Sequence, residues 1–258
     1  MLRQRILSAL VMMPVAVAAV WVGGWAFVAL ATLAVVLLSW EWSRLCQGRF
    51  GTDGVFLALM SGLAVILGHV VPYAAFLLVG LTALAMPWLG RWSTRSPLWM
   101  VVGAFYVGLP SLALIWLRDQ GRDTVFWLLC LVWATDIGAY AAGRAIGGPK
   151  LAPRISPKKT WAGLAGGMVS AALVGWATGS LDDGPCGLLA GLSALLAVVA
   201  QAGDLAESWV KRHFGVKDSS GIIPGHGGVL DRLDGLLATA PAVAVVCLAM
   251  GGGLSLWR

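Results

Sequence analysis

Residues 6–40 read ILSALVMMPVAVAAVWVGGWAFVALATLAVVLLSW and contain no Asp, Glu, Lys or Arg. A membrane-spanning α-helix needs about 20 apolar residues, so this run is too long for one crossing and has the length of two. Gly23 and Gly24, near its middle, supply a break. Because a second span follows almost at once, the stretch predicts a retained helical hairpin in a membrane and not a cleaved signal peptide.

The same reasoning applies to the rest of the chain. Residues 54–90 form a second long apolar run with a break at Val71–Pro72, and five further stretches each have the length of one crossing. Only 12% of the 258 residues are charged, about half the share in an average soluble domain, which excludes an ordinary cytosolic protein and a disordered chain. We therefore predict an all-α polytopic membrane protein with nine transmembrane helices: 6–22, 24–41, 55–71, 73–89, 97–117, 124–145, 161–180, 186–208 and 236–254.

The basic residues predict the orientation of these helices. With the N-terminus in the cytoplasm, 15 of the 18 Lys and Arg residues fall in cytoplasmic segments, and only Arg118, Arg122 and Arg258 fall outside. This agrees with the rule that cytoplasmic loops are rich in Lys and Arg. The net charge of +6 is thus mainly a topology signal that also suits anionic lipids, and no pattern of basic and aromatic residues indicates nucleic-acid binding.

The two halves of the sequence differ in polarity. Residues 1–122 have short loops and uncharged helices, so we interpret them as an anchoring and packing region. Residues 123–258 bring polar groups into the membrane segments and carry two longer loops, 146–160 and 209–235, which the orientation assigns to the cytoplasm. We predict that this second region is the catalytic one.

Two polar motifs open the second region. Asp136 lies inside a hydrophobic span, where a carboxylate costs about 2.5–3.5 kcal/mol on insertion scales and needs a partner or a water-filled cavity. A functional role and a salt bridge with a neighbouring arginine both explain its presence there.

The second motif is residues 156–160, Ser-Pro-Lys-Lys-Thr, which predict a turn and then a helix that begins near Thr160. Backbone N–H groups, a hydroxyl and two ammonium groups suit a phosphate there, although an unliganded cytoplasmic loop explains the lysines equally well.

The end of the eighth span carries the most informative pattern. Its polar residues are spaced i, i+3, i+4 and i+7, which predicts one shared helix face: Asp204, Glu207, Ser208 and Lys211. A loop rich in Gly, Lys and Arg follows, and two further acids stand three residues apart at the start of the ninth helix. Carboxylates without a Cys–His cluster favour Mg²⁺ over zinc. The pattern indicates phosphates bridged by Mg²⁺, or else a self-neutralised network of salt bridges.

The sequence here resembles a known signature. Four elements carry the resemblance: Ser208-x-x-Lys211-Arg212, Lys217-Asp218, Pro224-Gly-His-Gly-Gly228 and Asp231-Arg232-x-Asp234. Together they are similar to the signature of the phosphatidate cytidylyltransferases, also called CDP-diacylglycerol synthases. Segments 136–140 and 156–161 resemble the same family, whereas the N-terminal half matches only in hydropathy. Ala162 departs from the pattern, because these enzymes usually carry an acidic residue there.

The resemblance implies a reaction and a set of site residues. CTP and phosphatidate would give CDP-diacylglycerol and pyrophosphate at the cytoplasmic face of a bacterial-type inner membrane, with CTP, phosphatidate and membrane lipids as partners. Mg²⁺ would be held by Asp204 and Asp231, with a second cation and a homodimer left open. The expected catalytic residues are Asp204, Asp231, Lys211, Arg232, Asp136 and Glu207. The expected substrate-binding residues are Ser156, Lys158, Lys159, Thr160, Ser208, Arg212, Lys217, Asp218, Gly225, His226, Gly227, Gly228 and Asp234.

Three other functions remain open from the residues alone. A related CTP-dependent lipid kinase would phosphorylate a polyprenol-type alcohol and release CDP, where a cytidylyltransferase releases pyrophosphate. An ion-coupled transporter also places acids in membrane helices, but it does not need a loop of this Lys, Gly and His content, and the sequence shows no inverted repeat. A purely structural membrane protein is the third.

Overall fold

The structure, a computed structural model, describes residues 2–90, 97–181, 184–223, 225, 227–254 and 257. Nine α-helices occur in these residues: α1 (Leu2–Val22), α2 (Gly24–Gln47), α3 (Thr52–Val70), α4 (Pro72–Gly90), α5 (Pro97–Gln120), α6 (Arg122–Ala145), α7 (Trp161–Leu181), α8 (Cys186–His213) and α9 (Leu230–Ala249). Each coincides with one of the nine predicted segments, so the predicted all-α architecture is confirmed.

Eight of the described helices, α2 to α9, are long and apolar enough to cross a membrane. The protein is therefore an integral membrane protein. The apolar part of α1 is shorter and covers Leu10–Val22. A crossing by α1, and with it the orientation of the termini, stays a prediction.

The break between α1 and α2 depends on Gly23. Its φ of 69° lies in a region that L side chains rarely adopt, and a Cβ here would overlap the guanidinium of Arg118. The Nε of Arg118 donates a 2.7 Å hydrogen bond to the carbonyl of Val20, one of the groups that a helix end leaves without an intrahelical partner. Glycine thus lets an arginine of α5 close the end of α1.

The chain packs as two compact units. The first comprises Met1–Asp119 and His213–Leu233, and the second comprises Gln120–Arg212 and Asp234–Arg258. In the first unit α2 packs on α3 and α3 on α4. In both units the chain is interrupted, because the loop after α8 and the start of α9 belong to the first unit. The predicted division of roles at residue 122 stays a prediction, since packing does not assign roles.

The second unit is built around a close contact between α6 and α7. A Cβ at Gly163 would come within 3.0 Å of the carbonyl oxygen of Ala139, and one at Gly166 within 2.8 Å of that of Gly138. Small residues let membrane helices approach to backbone contact, where van der Waals packing replaces the hydrophobic effect as the attraction between helices. The Gly-rich start of α7 therefore sets the spacing of the two helices.

Several boundaries differ from the predicted ones. Residues 146–160, predicted as a loop with a turn, contain two antiparallel strands, β1 (Lys150–Ala152) and β2 (Ser156–Thr160). Helix α8 runs on to His213 and α9 begins at Leu230, so the loop between them is shorter than predicted. Hydropathy marks only the apolar part of a helix, whereas these helices continue through polar residues whose i, i+4 spacing still favours the helix.

We expect Gly166→Ala to destabilise the protein. The added Cβ would overlap the Cβ of Ala142 as well as the carbonyl oxygen of Gly138, and overpacking of this kind costs about 1–3 kcal/mol. The apparent Tm in detergent, measured by size-exclusion chromatography after heating, should fall by several degrees. Gly191→Ala is the control, because a Cβ there meets no atom within 4 Å; equal Tm values for the two variants would show that α6 and α7 separate easily.

Candidate active site

The predicted site residues fall into two groups, one in each unit. The group in the second unit begins at the β1–β2 hairpin, in which Lys150 pairs with Thr160 and Ala152 with Ser156. The hydroxyl of Thr160 accepts a 3.0 Å hydrogen bond from the backbone N–H of Gly163, which is the contact expected of a residue that caps a helix. The predicted helix start near Thr160 is therefore confirmed, with a strand in front of it.

Lys158 and Lys159 point to different sides because neighbours in a strand alternate between its faces. Lys158 is exposed. The Nζ of Lys159 lies 2.6 Å from Oδ2 of Asp204 and donates a 2.9 Å hydrogen bond to Oε1 of Gln201. The hydroxyl of Ser208 donates a 3.3 Å bond to the other oxygen of Asp204. A lysine from the hairpin and a serine from α8 thus orient this carboxylate.

One turn farther along α8, Glu207 and Lys211 form a buried pair. Their side chains are 3.2 Å apart and retain 0% and 10% of their accessible surface, respectively. The Asp234 carboxylate on α9 interacts with Asp204, Glu207 and Asp136. Four acids and two lysines therefore gather in this unit; the helix-face pattern covered only Asp204, Glu207 and Lys211 of these six. Two of these acids are paired with lysines, Asp204 with Lys159 and Glu207 with Lys211. The alternative of a self-neutralised network of salt bridges therefore describes part of this helix face.

The arrangement of these acids limits how a metal can bind. Within the described ranges, no group of three or more His, Cys, Asp or Glu side chains is placed to hold a metal ion. Mg²⁺ commonly takes only one or two carboxylates and completes its octahedron with waters and substrate phosphates. The oxygen donors present here fit that mode of binding better than a cage made of protein ligands alone.

The group in the first unit lies in the loop after α8. The loop folds back on itself through a 2.9 Å hydrogen bond from the N–H of Ile223 to the carbonyl of Gly227. Gly225 and Gly227 have φ values of 78° and 86°, which glycine adopts without strain. A Cβ at Gly227 would also lie 2.6 Å from Oδ2 of Asp231. His226, predicted to bind a phosphate, lies outside the described residues.

Asp231 is oriented by the same loop. Its Oδ2 accepts hydrogen bonds from the backbone N–H of Ser219 at 2.9 Å, the hydroxyl of Ser219 at 2.9 Å and the N–H of Gly228 at 2.7 Å. The residue is 8% exposed. Three donors on one oxygen hold the carboxylate in a single direction, as hydrogen-bond donors around metal-binding carboxylates do.

Sequence reasoning missed Glu41, which sits near the end of α2 and is fully buried. Its two carboxylate oxygens accept hydrogen bonds from the hydroxyls of Ser219 and Ser220 and from the backbone N–H groups of Val229 and Leu230. The available signal was its position directly after the charge-free run 6–40, where an acid needs a partner as much as Asp136 does. We overlooked this position because we had interpreted the N-terminal region as an anchor without polar functions.

The remaining predicted residues are on the surface of the unit to which they belong. Ser156 is partly exposed and the others are exposed: Asp136, Lys158, Arg212, Lys217, Asp218, Gly225 and Arg232. Arg144, the arginine that neighbours Asp136 on α6, donates a 2.9 Å hydrogen bond to the hydroxyl of Tyr140. These side chains are accessible to soluble or lipid phosphates, but their roles stay predictions.

The sequence profile of the Cytidylyltransferase family matches residues 3–250. The chain belongs to this family. It is 41% identical to a phosphatidate cytidylyltransferase of Brucella suis over 93% of its own length and 90% of the relative's. It is 39% identical to a phosphatidate cytidylyltransferase of Pseudomonas aeruginosa over 98% and 99% of the two lengths, and 33% identical to one of Haemophilus influenzae over 93% and 96%.

Family membership confirms the resemblance predicted from the signature. It also extends that resemblance to the N-terminal half, which the signature does not cover, because the match begins at residue 3. Glu41 therefore lies within the matched region. The cytidylyltransferase fold of this chain includes both the signature loop and the helix that holds it.

We expect Lys159→Met to lower stability through Asp204. Without its lysine, this carboxylate would stand beside Asp234 and other acids, and like charges at short range repel. A loss of about 1 kcal/mol would lower Tm by roughly 2–4 °C in a chain of this size. Lys158→Met, one residue away, is the control and should leave Tm unchanged.

The double variant Lys159→Met/Asp204→Asn tests the cause. Removing the carboxylate as well should restore most of the lost stability, because the unpaired charge is gone. Strictly additive effects of the two substitutions would mean that the pair contributes no coupling energy.

Proposed function

We propose that this cytidylyltransferase transfers CMP from CTP to phosphatidate, in phospholipid biosynthesis. A phosphate oxygen of phosphatidate attacks the α-phosphorus of CTP, the bond between the α- and β-phosphates breaks, and CDP-diacylglycerol and pyrophosphate leave. The observation that carries the proposal is similarity along the whole chain to relatives named for this activity. The signature elements found in the sequence support the same reaction.

The chemistry asks little of the protein beyond positioning and charge. The attacking phosphate oxygen is already ionised near neutral pH, so a strong base is not needed. Two polyanions must instead be brought together, and negative charge that develops on the leaving pyrophosphate must be stabilised. The lysines and arginines of the site, among them Lys159, Lys211 and Arg232, are suited to this task.

We further propose that Mg²⁺ is required, with Asp204 and Asp231 among its ligands. When bound, the ion would neutralise charge on the phosphates. Ser208 and Lys159 orient Asp204, and Ser219 and Gly228 orient Asp231, as expected of carboxylates that receive a metal. A second cation and a homodimer stay open predictions.

The location of the reaction is also a proposal. CTP arrives from water and phosphatidate lies in the bilayer, so the site belongs at a membrane surface. The distribution of Lys and Arg favours the cytoplasmic face, and the bacterial relatives favour the inner membrane.

The assay that tests the function follows the products. Purified protein in phosphatidate-containing detergent micelles should convert CTP into pyrophosphate and a CDP-linked lipid in equal amounts, and only when both phosphatidate and Mg²⁺ are present. EDTA should stop the reaction and excess Mg²⁺ should restore it. Release of CDP with a phosphorylated lipid alcohol would instead identify a lipid kinase.

We expect Asp204→Asn and Asp231→Asn each to lower kcat/KM by 10²-fold or more, on the order of 3 kcal/mol in barrier height. Asparagine keeps the shape of the side chain and removes the negative charge, so folding in detergent should be retained. Asp123→Asn is the matched control, because its carboxylate is 60% exposed and lies near Arg122. Near-normal activity in either site variant would show that the wrong carboxylates were assigned.

A further inference from the structure

The carboxylate of Glu41 holds both ends of the loop that precedes α9. Its Oε1 accepts hydrogen bonds from the hydroxyl of Ser220 at 2.6 Å and the N–H of Val229 at 2.8 Å. Its Oε2 accepts from the hydroxyl of Ser219 at 3.1 Å and the N–H of Leu230 at 2.7 Å. Two donors come before the glycine turn and two after it, so one side chain closes the loop.

The two backbone donors lie at the start of α9: Val229 directly precedes the helix and Leu230 is its first residue. The first N–H groups of a helix have no intrahelical partner and carry the positive end of the helix dipole. A capping side chain normally comes from the residue just before the helix. Here Glu41, nearly 190 residues earlier in the chain, supplies the acceptor for both Val229 and Leu230. The negative charge is favourable there, which offsets the cost of burying it.

Gly228 makes room for this contact. A Cβ at Gly228 would overlap Oε1 of Glu41 and the hydroxyl of Ser219. The N–H of Gly228 donates to Asp231, so the backbone of this residue passes between the two carboxylates. The glycine is therefore needed for a close approach.

Ser219 connects Glu41 to Asp231. Its hydroxyl lies 3.1 Å from Oε2 of Glu41 and 2.9 Å from Oδ2 of Asp231. A hydroxyl has one hydrogen, so the two carboxylates compete for it, while the N–H of Ser219 binds Asp231 in addition. A substitution of Glu41 therefore changes the hydrogen bond that the Ser219 hydroxyl donates to Asp231.

We propose that Glu41 is a positioning residue for the cytidylyl transfer: it holds residues 219–220 and 229–230 in place and, through Ser219, fixes the direction of Asp231. The catalytic part of the proposal rests on the proposed function. The N-terminal region is then a part of the active-site machinery and not only an anchor. Glu41 acts through its partners and needs no contact with a substrate.

The first test is hydrogen exchange, which requires neither activity nor ligand. In Glu41→Ala and Glu41→Gln, amides of residues 219–230 should exchange at least about 10-fold faster than in the parent protein, as local opening allows. Exchange in α6 and α7 should not change. Asp53→Asn, which alters another buried acid of the same unit, should leave residues 219–230 protected. Unchanged protection of this segment in both Glu41 variants would overturn the proposal.

If substitution of Glu41 prevents folding, a second pair of variants tests the same proposal by hydrogen exchange. Gly228→Ala forces a Cβ against Glu41 and should raise exchange in residues 219–230 in the same way. Gly221→Ala lies in the same loop, and a Cβ there meets no atom within 4 Å, so it should not. Equal exchange in the two glycine variants would overturn the proposal as well.

The second test is kinetic. Per folded molecule, Glu41→Gln should lower kcat about 10–100-fold, the usual effect of losing a group that orients a metal ligand, and raise the Mg²⁺ concentration for half-maximal activity. Glu41→Asp, which keeps the charge, should recover part of kcat, and Asp53→Asn should match the parent. A merely structural role would reduce the folded fraction and leave kcat per folded molecule unchanged. An inactive parent protein would refute the proposed function, while the exchange result would still decide the role of Glu41.

Discussion

A carboxylate that leaves water needs donors or a cation, and this constraint organises the polar parts of the structure. Glu41 has no exposed surface and has four donors within hydrogen-bond distance, one of which it shares with Asp231. Glu207 is 1% exposed and lies beside Lys211. Burying either group unpaired would cost several kcal/mol, so the residues that satisfy these acids are held in place in return. In this protein, the buried carboxylates fix the positions of the polar groups that pair with them.

The glycines matter for the same reason as the acids. The absence of a side chain leaves room for a neighbouring group at three positions: the guanidinium of Arg118 at Gly23, the carboxylate of Glu41 at Gly228, and helix α6 at Gly166. A Cβ at any of the three would fill the space that the partner occupies. Conformational freedom is a second requirement only at some of these positions, such as Gly23 with its positive φ. Close approach is the more general role.

Much of the fold and part of the site could be predicted from the sequence. Runs without charge and their breaks at Gly23 and Pro72 predicted all nine helices, because helix length in a bilayer is set by a single distance. The spacing of Asp204, Glu207 and Ser208 predicted a shared face because residues three and four apart are neighbours on the surface of an α-helix. The β1–β2 hairpin was missed because the sequence Ser-Pro-Lys-Lys-Thr is equally compatible with an irregular cytoplasmic loop. Glu41 was missed because the N-terminal region was interpreted as an anchor, and because a contact across nearly 190 residues leaves no periodic pattern that identifies the partners of this acid.

The long-range cap on α9 also has a consequence for biosynthesis. Between Glu41 and Ser219 the ribosome must add 178 residues, which takes on the order of 10–40 s at typical translation rates of about 5–20 residues per second. For nearly all of this interval α2 (Gly24–Gln47) has been synthesised while the donors for Glu41 have not. The loop before α9 can therefore reach its final form only after nearly the whole chain has been made, and closing it is a late step in the maturation of the protein.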